Sequence, residues 1–229
     1  MARTVNVAEH AARRDEILDA AQRLILATGY ERLTVQDILN DLQISKGAFY
    51  HYFDSKPAVI EALTARLVSD SERALAPIAK HPEMGARDKL QAFFGETIRW
   101  KSERQNLLLA MLPVWYAPDN LAFRLLVERE SAKRLAPLLS AIVRQGVGEG
   151  QFATGYPEQA GAIIFAIVRA LQDATAQQLL TAPNVRDMVN THGAHMEAIE
   201  RYLGVSAGTL NRVDARTVKS WITAADGKR

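Results

Sequence analysis

The sequence predicts an all-α fold, a small N-terminal three-helix module followed by a larger helical body. Three observations predict it. Apolar residues recur at spacings of three and four from about residue 11 to residue 204, and no stretch alternates polar and apolar as a half-buried strand does. The stretch Leu33 to Lys56, LTVQDILNDLQISKGAFYHYFDSK, reads as two short helices meeting at a tight turn. The 229-residue chain is 48% hydrophobic, enough for a sizeable core. It has no Cys, which excludes a disulfide framework, a thiolate metal site and a Cys nucleophile.

In the Leu33–Lys56 stretch, Thr34 is a good N-cap with Asp37 in capping-box position. Val35, Ile38, Leu39 and Leu42 follow at helical spacing, and Gln43 and Ile44 make the turn. Ser45 caps the next helix, which opens with Lys46, Gly47 and Ala48. Small and cationic residues at that end suit a recognition helix, whose N-terminal residues press into the major groove of DNA. Phe49 and Phe53 face the core, while Tyr50, His51 and Tyr52 point outward and Lys56 starts the following helix near a phosphate position. A merely packed hairpin would account for Phe49 and Phe53. It would not account for the displayed polar tips or for a helix-weakening Gly in the first turn.

The string SKGAFYHYFDSK, with RRDEILDAAQRLILATGYERLTVQDI before it, resembles the signature of the TetR family of one-component bacterial transcription regulators. The resemblance covers about Ala11 to Leu63. It departs at the turn, where Leu42-Gln43 stands in place of the family's Ala-Gly; Gln there costs about 1 kcal/mol if the position needs a positive φ. The resemblance implies that Tyr50 and Lys56 hold phosphates and that Gln36, Lys46, Ala48 and His51 reach base edges, with Thr34, Ser45, Gly47 and Tyr52 in the same DNA-binding set. It also implies a ligand cavity in the helical body and a four-helix dimer interface from the last two long helices.

Charge adds little. The chain carries a net +2, and its first 56 residues hold one more acid than base, so any attraction to DNA must come from charge segregated onto one face. Residues 1–10, with Arg3 their one Arg, read as a disordered tail. The N-terminus lacks an apolar signal core, and no run approaches the length of a membrane span. The expectation is a soluble cytoplasmic protein with no membrane partner.

Along the chain, the first helix runs from about Ala11 to Thr28 and ends at Gly29. Residues 1–56 form the DNA-binding module, a helix over 54–80 links it onward, residues 57–204 form the effector-binding and dimerisation body, and 205–229 is a basic tail with one short amphipathic turn. Within the body, LLLAMLPVWY reads as an apolar segment broken by Pro113, and Gly146, Gly148 and Gly150 as a flexible turn anchored by Phe152. The helices near 158–181 and 184–204 carry small residues and an apolar row including Met188, Met196 and Ile199, read as the dimer face.

Candidate ligand-binding residues are Trp100, Met111, Trp115, Tyr116, Phe123 and Phe165, aromatic or soft and scattered over four segments. Arg169 and Asp173, four apart, are either an exposed ion pair or a polar handle in the cavity. His192 and His195 have metal-compatible spacing with Glu197 a poor third ligand, and they read as interface histidines. No catalytic residue, metal site or cofactor is expected. The reading is a repressor that binds a palindromic double-stranded DNA operator as a homodimer and is switched by a small hydrophobic effector. The alternatives are a ligand-independent DNA-organising protein and a helical enzyme.

Overall fold

The computed structural model describes residues 7–227. Ten α-helices follow in order: α1 (Val7–Thr28), α2 (Val35–Leu42), α3 (Lys46–Tyr50), α4 (Lys56–Ala79), α5 (Ala86–Glu103), α6 (Gln105–Tyr116), α7 (Leu121–Gly148), α8 (Pro157–Leu180), α9 (Val185–Leu203) and α10 (Ala215–Asp226). A single 3-10 turn, Pro118–Asn120, leads into α7. No strand occurs among the described residues.

Several expectations are corrected. Helix α1 begins at Val7, so residues 7–10 are its first turn rather than tail; Arg3 lies outside the described residues. Pro113 does not break α6 but is accommodated inside it, on an exposed face. Gly146 and Gly148 belong to α7, not to a loop. Phe152 does anchor the connection that follows: it is buried, and it packs so closely on Gly146 that a Cβ there would lie 2.1 Å from its ring.

Helices α1 to α3 pack on the start of α4 around Ile17, Leu18, Ile25, Ile38, Phe49, Phe53 and Leu63. Arg23 pairs with Asp41 at 2.6 Å, joining α1 to α2. Arg66 reaches back from α4 to Asp19 at 2.7 Å. The core does not stop at residue 56. Leu67 of α4, Trp100 of α5, and Leu107, Met111 and Val114 of α6 belong to the same buried cluster.

A second cluster joins α4, α5, α7, α8 and α9. Met196 and Ile199, read as interface residues, are 2% and 0% exposed and sit in this internal core. The closest approach of α8 is to α7. A Cβ on Gly161 would fall 1.9 Å from the Ala136 carbonyl oxygen. Ser140 Oγ fastens the same crossing, donating to the Glu158 carbonyl and accepting from the Gly161 N–H, both at 3.0 Å. Small residues in α8 thus serve α7 within one chain. Its outward row is Ala162, Ile163, Ala166 and Ala170.

The tail also differs from expectation. It is not one turn but the three-turn helix α10, capped by Asp214, whose side chain accepts from the Thr217 N–H. Val218, Trp221 and Ile222 pack with Leu109, Leu179 and Met188 of the body. Docking depends on Glu200 in α9, a fully buried carboxylate. It accepts from Arg212 Nη2 at 2.6 Å, from Arg212 Nη1 at 3.1 Å and from the Leu210 N–H at 2.7 Å. A buried charge is tolerated when its lone pairs are filled in this way.

Gly161→Ala is expected to destabilise the chain by about 3 kcal/mol, more than an exposed substitution does, because the clash meets backbone and the Ser140 bonds go with it. Chemical denaturation measures this. Burial opposes the charge on Glu200, but Arg212 and the Leu210 and Gly208 amides hold its carboxyl below the ordinary glutamate value of 4.5. That stabilisation is therefore complete above about pH 4.5 and is lost as pH falls through the lower, folded-state value. Glu200→Gln is expected to cost about 2 kcal/mol near neutral pH and to flatten the acid limb, read in the melting temperature and in Trp221 emission.

Candidate nucleic-acid interface and internal cavity

The turn between α2 and α3 fixes the candidate interface. Gln43 takes the left-handed conformation at φ 53°, so the strain expected of a non-Gly residue is present. Its side chain offsets part of it by donating to the Asn40 carbonyl at 2.7 Å. Ser45 Oγ accepts from the Ala48 N–H at 3.1 Å, which leaves the hydroxyl proton available to a phosphate. Thr34 differs. Its hydroxyl donates to Asp37 at 2.7 Å and accepts from the Asp37 N–H at 3.1 Å, so the capping box consumes its donor.

Around α3, Lys46, Gly47, Tyr50 and His51 are exposed and Ala48 is half-buried, whereas Phe49 is fully buried. Gln36 is exposed on α2, its amide held by Asn40 Oδ1 at 2.8 Å. Tyr52 was expected to point outward, yet it is half-buried against the core because its ring is clamped by His10 at 4.7 Å and by the edge of His51 at 5.0 Å. His10 is thus part of this surface. The signal for it was the lack of any helix breaker between Val7 and Ala11. Lys56 Nζ lies 4.0 Å from the centre of the Tyr30 ring. Burial lowers its pKa, with Glu31 acting in the opposite sense. Several acids of the module are paired or capped, Glu16 by Arg13, Asp41 by Arg23, Asp19 by Arg66 and Asp37 by the cap, while Lys46 forms no ion pair among the described residues.

In the body, α4 to α10 line a half-open apolar cavity of about 390 Å³. Of the predicted lining, Trp100, Trp115, Tyr116, Arg169 and Asp173 stand on its wall. Met111 does not: it is fully buried in the cluster shared with the DNA-facing module. Phe123 faces a separate cleft beside Arg14 and Tyr52, and Phe165 lines neither space. Sequence reasoning missed Thr64 and Val68 of α4, Lys101 of α5, His192 of α9 and Trp221 of α10, all on the wall. Lys101 was legible, since it falls four residues after Thr97 and seven after Phe94 on one helix face.

Arg169 and Asp173 form an i,i+4 ion pair that stands on the cavity wall. Tyr116 donates to Asp173 at 2.7 Å, Arg169 reaches Glu128 at 2.8 Å and Asp173 at 3.6 Å, and Arg124 lies 3.7 Å from Glu128. Burial and the bond to Asp173 push the Tyr116 hydroxyl above its ordinary range. His192 Nδ1 accepts from the Val213 N–H at 3.3 Å, placing the ring proton on Nε2. Burial, then Arg212, Lys101 and His195, bring its pKa down to about 4. No cluster of His, Asp and Glu able to hold a metal occurs among the described residues; His192 lines the cavity and His195 Nδ1 lies 2.7 Å from the Thr191 carbonyl oxygen.

A capped two-helix hairpin with an exposed, cation-led second helix, mounted on a cavity-bearing helical body, is a helix-turn-helix arrangement. Residues 17–63 match the family described as bacterial regulatory proteins, tetR family. The chain is similar to the HTH-type transcriptional repressor NemR of Escherichia coli K12, 28% identical over 85 residues, 37% of this chain and 43% of that protein. It is also similar to the HTH-type transcriptional repressor Rv1474c of Mycobacterium tuberculosis, 37% identical over 83 residues, 36% of this chain and 43% of the relative. The matches therefore span less than half the length of these relatives.

Among solved structures, the fold resembles SmeT, the repressor of the Stenotrophomonas maltophilia multidrug efflux pump SmeDEF, with TM-score 0.63, 18% identity and coverage of 88% of this chain and 95% of that one. A transcriptional regulator from Cytophaga hutchinsonii gives TM-score 0.64 at 14% identity, covering 83% and 96%. These likenesses carry the fold across the body, where the sequence match does not reach. The curated relatives matched in this region are named as transcriptional repressors. No helix among the described residues is long and apolar enough to cross a membrane.

Proposed function

We propose that the chain is a one-component transcriptional repressor that binds a palindromic DNA operator as a homodimer and responds to a small, largely apolar effector in the internal cavity. The observation that carries this reading is the continuity of α4. Ser55 caps it at the interface, accepting from the Ala58 N–H, and Thr64, Leu67, Val68 and Ser71 of the same helix form cavity wall. A ligand that displaces this wall tilts a helix whose first turn follows α3. Two recognition helices of a dimer must sit roughly 34–36 Å apart to enter successive major grooves, so a small tilt changes the match. A ligand preferring one arrangement by about 10⁴-fold moves the balance from 1:99 to 99:1.

At the interface, Lys46, Gln36, Ala48 and His51 are placed to read bases, and Tyr50, Ser45 and Lys56 to hold phosphates, with Gly47 allowing close backbone approach and Tyr52 bracing His51. Thr34 serves as the cap of α2. The dimer face in this reading is the outward row of α8, Ala162, Ile163, Ala166 and Ala170, with exposed Ala194 and Ala198 of α9 beside it. Met196 and Ile199 are excluded from it by their burial.

Selection of bound sequences from random duplexes, followed by gel-shift assays with and without a panel of apolar compounds, tests the whole reading. A selected palindrome whose binding weakens with an effector supports it. A palindrome bound identically with every compound favours a ligand-independent DNA-organising protein. Lys56→Ala is expected to weaken binding to all duplexes and to reduce the slope of log affinity against log salt by about one. An unchanged slope in a folded variant removes Lys56 from the phosphate contacts. Ala166→Arg is expected to leave the single-chain fold intact, to convert the dimer to monomer in sedimentation, and to lower operator affinity by about 100-fold or more.

A further inference from the structure

The cavity wall bears six side chains that carry or can take up charge, Lys101, Arg124, Glu128, Arg169, Asp173 and His192. Four of them form a closed set. Arg124 and Arg169 meet Glu128, and Arg169 also meets Asp173, so two cations and two anions cancel at one end. The Tyr116 hydroxyl is spent on Asp173 within the same set.

Lys101 stands apart from it. It lies in the last turn of α5, is half-buried, and makes no hydrogen bond or ion pair among the described residues. It forms part of the cavity wall. The groups that influence the same region are cationic or neutral: His192 and His195 of α9, and Arg212 beyond α9, whose guanidinium is taken up by Glu200. Helix α4 offers the hydroxyls of Thr64 and Ser71, and α10 that of Thr217. No carboxylate of the wall is left over to face the ammonium. A half-buried ammonium with no acid partner is disfavoured, and replacing it by an apolar side chain of similar length is expected to be neutral or stabilising. Its presence on an otherwise apolar face is explained if a ligand completes the pair.

We infer that the cavity takes an amphipathic anion, an apolar body with a single carboxylate head that pairs with the Lys101 ammonium. The inference rests on the reading of the cavity as the effector site. The balanced end, with Tyr116, Asp173 and Arg169, offers no spare charge and faces the apolar body. His192, neutral and with its proton on Nε2, adds bulk and a neutral donor near Lys101 without competing for the anion. Burial brings the Lys101 pKa down to about 8, so the cationic form predominates near neutral pH and is lost above it.

The test compares matched acids and alcohols on the full-length protein, decanoate with 1-decanol and 2-naphthoate with 2-naphthalenemethanol. Emission of Trp100, Trp115 and Trp221, all on the wall, reports binding. The native protein is expected to favour the acid of a pair by about tenfold or more, since the charge-assisted contact is available only to it. Lys101→Met should bring acid and alcohol within about twofold of each other or reverse their order, while melting at or above the native temperature. Acid binding to the native protein should weaken as pH rises past about 8, and that dependence should vanish in Lys101→Met. Lys101→Gln serves as a second charge-free variant. Equal binding of acid and alcohol to the native protein overturns the inference and leaves the effector reading standing. An acid preference that survives in both variants overturns it as well, by placing the anion elsewhere. Failure of all four compounds to bind overturns the inference and removes support from the effector reading.

Discussion

Every other part of the molecule leans on the burial of α4. Its residues Val59, Ile60 and Leu63 are inaccessible to solvent because α1 and α3 cover them, and Leu67 and Leu75 are buried further along. Most of a helix's stability within a protein comes from packing of its apolar face in this way. Here one strip of apolar side chains closes the helix-turn-helix module, forms part of the cavity wall and enters the core of the body. The Arg66 bridge to Asp19 adds direction to this packing more than energy, since Asp19 is largely exposed.

Polar chemistry is then used sparingly and locally. Ser140 sets the α7 and α8 crossing, Glu200 and Arg212 seat α10, and the Tyr116–Asp173–Arg169–Glu128 chain closes one end of the cavity. In each case a buried group has its partners, which is the condition under which burial of polarity costs little. On the cavity wall the buried Trp100 Nε1 and Arg124 Nε, which have no hydrogen-bond partner, and the half-buried Lys101 depart from that rule. A departure of this kind inside a cavity is where ligand chemistry is expected to be written, because an apolar replacement would have been simpler to fold.

How far the sequence could be read depended on how local the controlling forces are. Capping by Thr34, Ser45 and Asp37, the left-handed turn at Gln43, and the burial of Phe49 and Phe53 follow from neighbours within four residues, and they were legible. The start of α1 was misplaced because a polar first turn carries no apolar period, although nothing in it breaks a helix. Pro113 and Gly146 misled for a different reason. Both residues are poor helix formers in isolation, and tertiary packing overrode that preference. The small residues of α8 were visible but their partner was not, since periodicity names a face and not what covers it; Gly161 meets α7 within the chain. The cavity wall was half legible. Trp100, Trp115, Tyr116, Arg169 and Asp173 lie on it, whereas Met111, Phe123 and Phe165 are equally apolar and lie elsewhere. An amphipathic segment at Val218, Trp221 and Ile222 that docks on the body was legible, but its length and its partners Leu109, Leu179 and Met188 were not, because those residues lie far earlier in the chain.

The cluster that runs from Ile17 through Leu63 to Met111 and Val114 makes the boundary between the two halves one of chemistry and not of packing. A fragment ending near residue 56 would expose Phe49 and Phe53 and lose the helix that covers them. Chain release from a ribosome meets the same constraint: the helix-turn-helix segment emerges long before α6 exists to complete its core. The DNA-binding surface therefore matures only after about half of the polypeptide has been synthesised, and until then its apolar side is open to other partners.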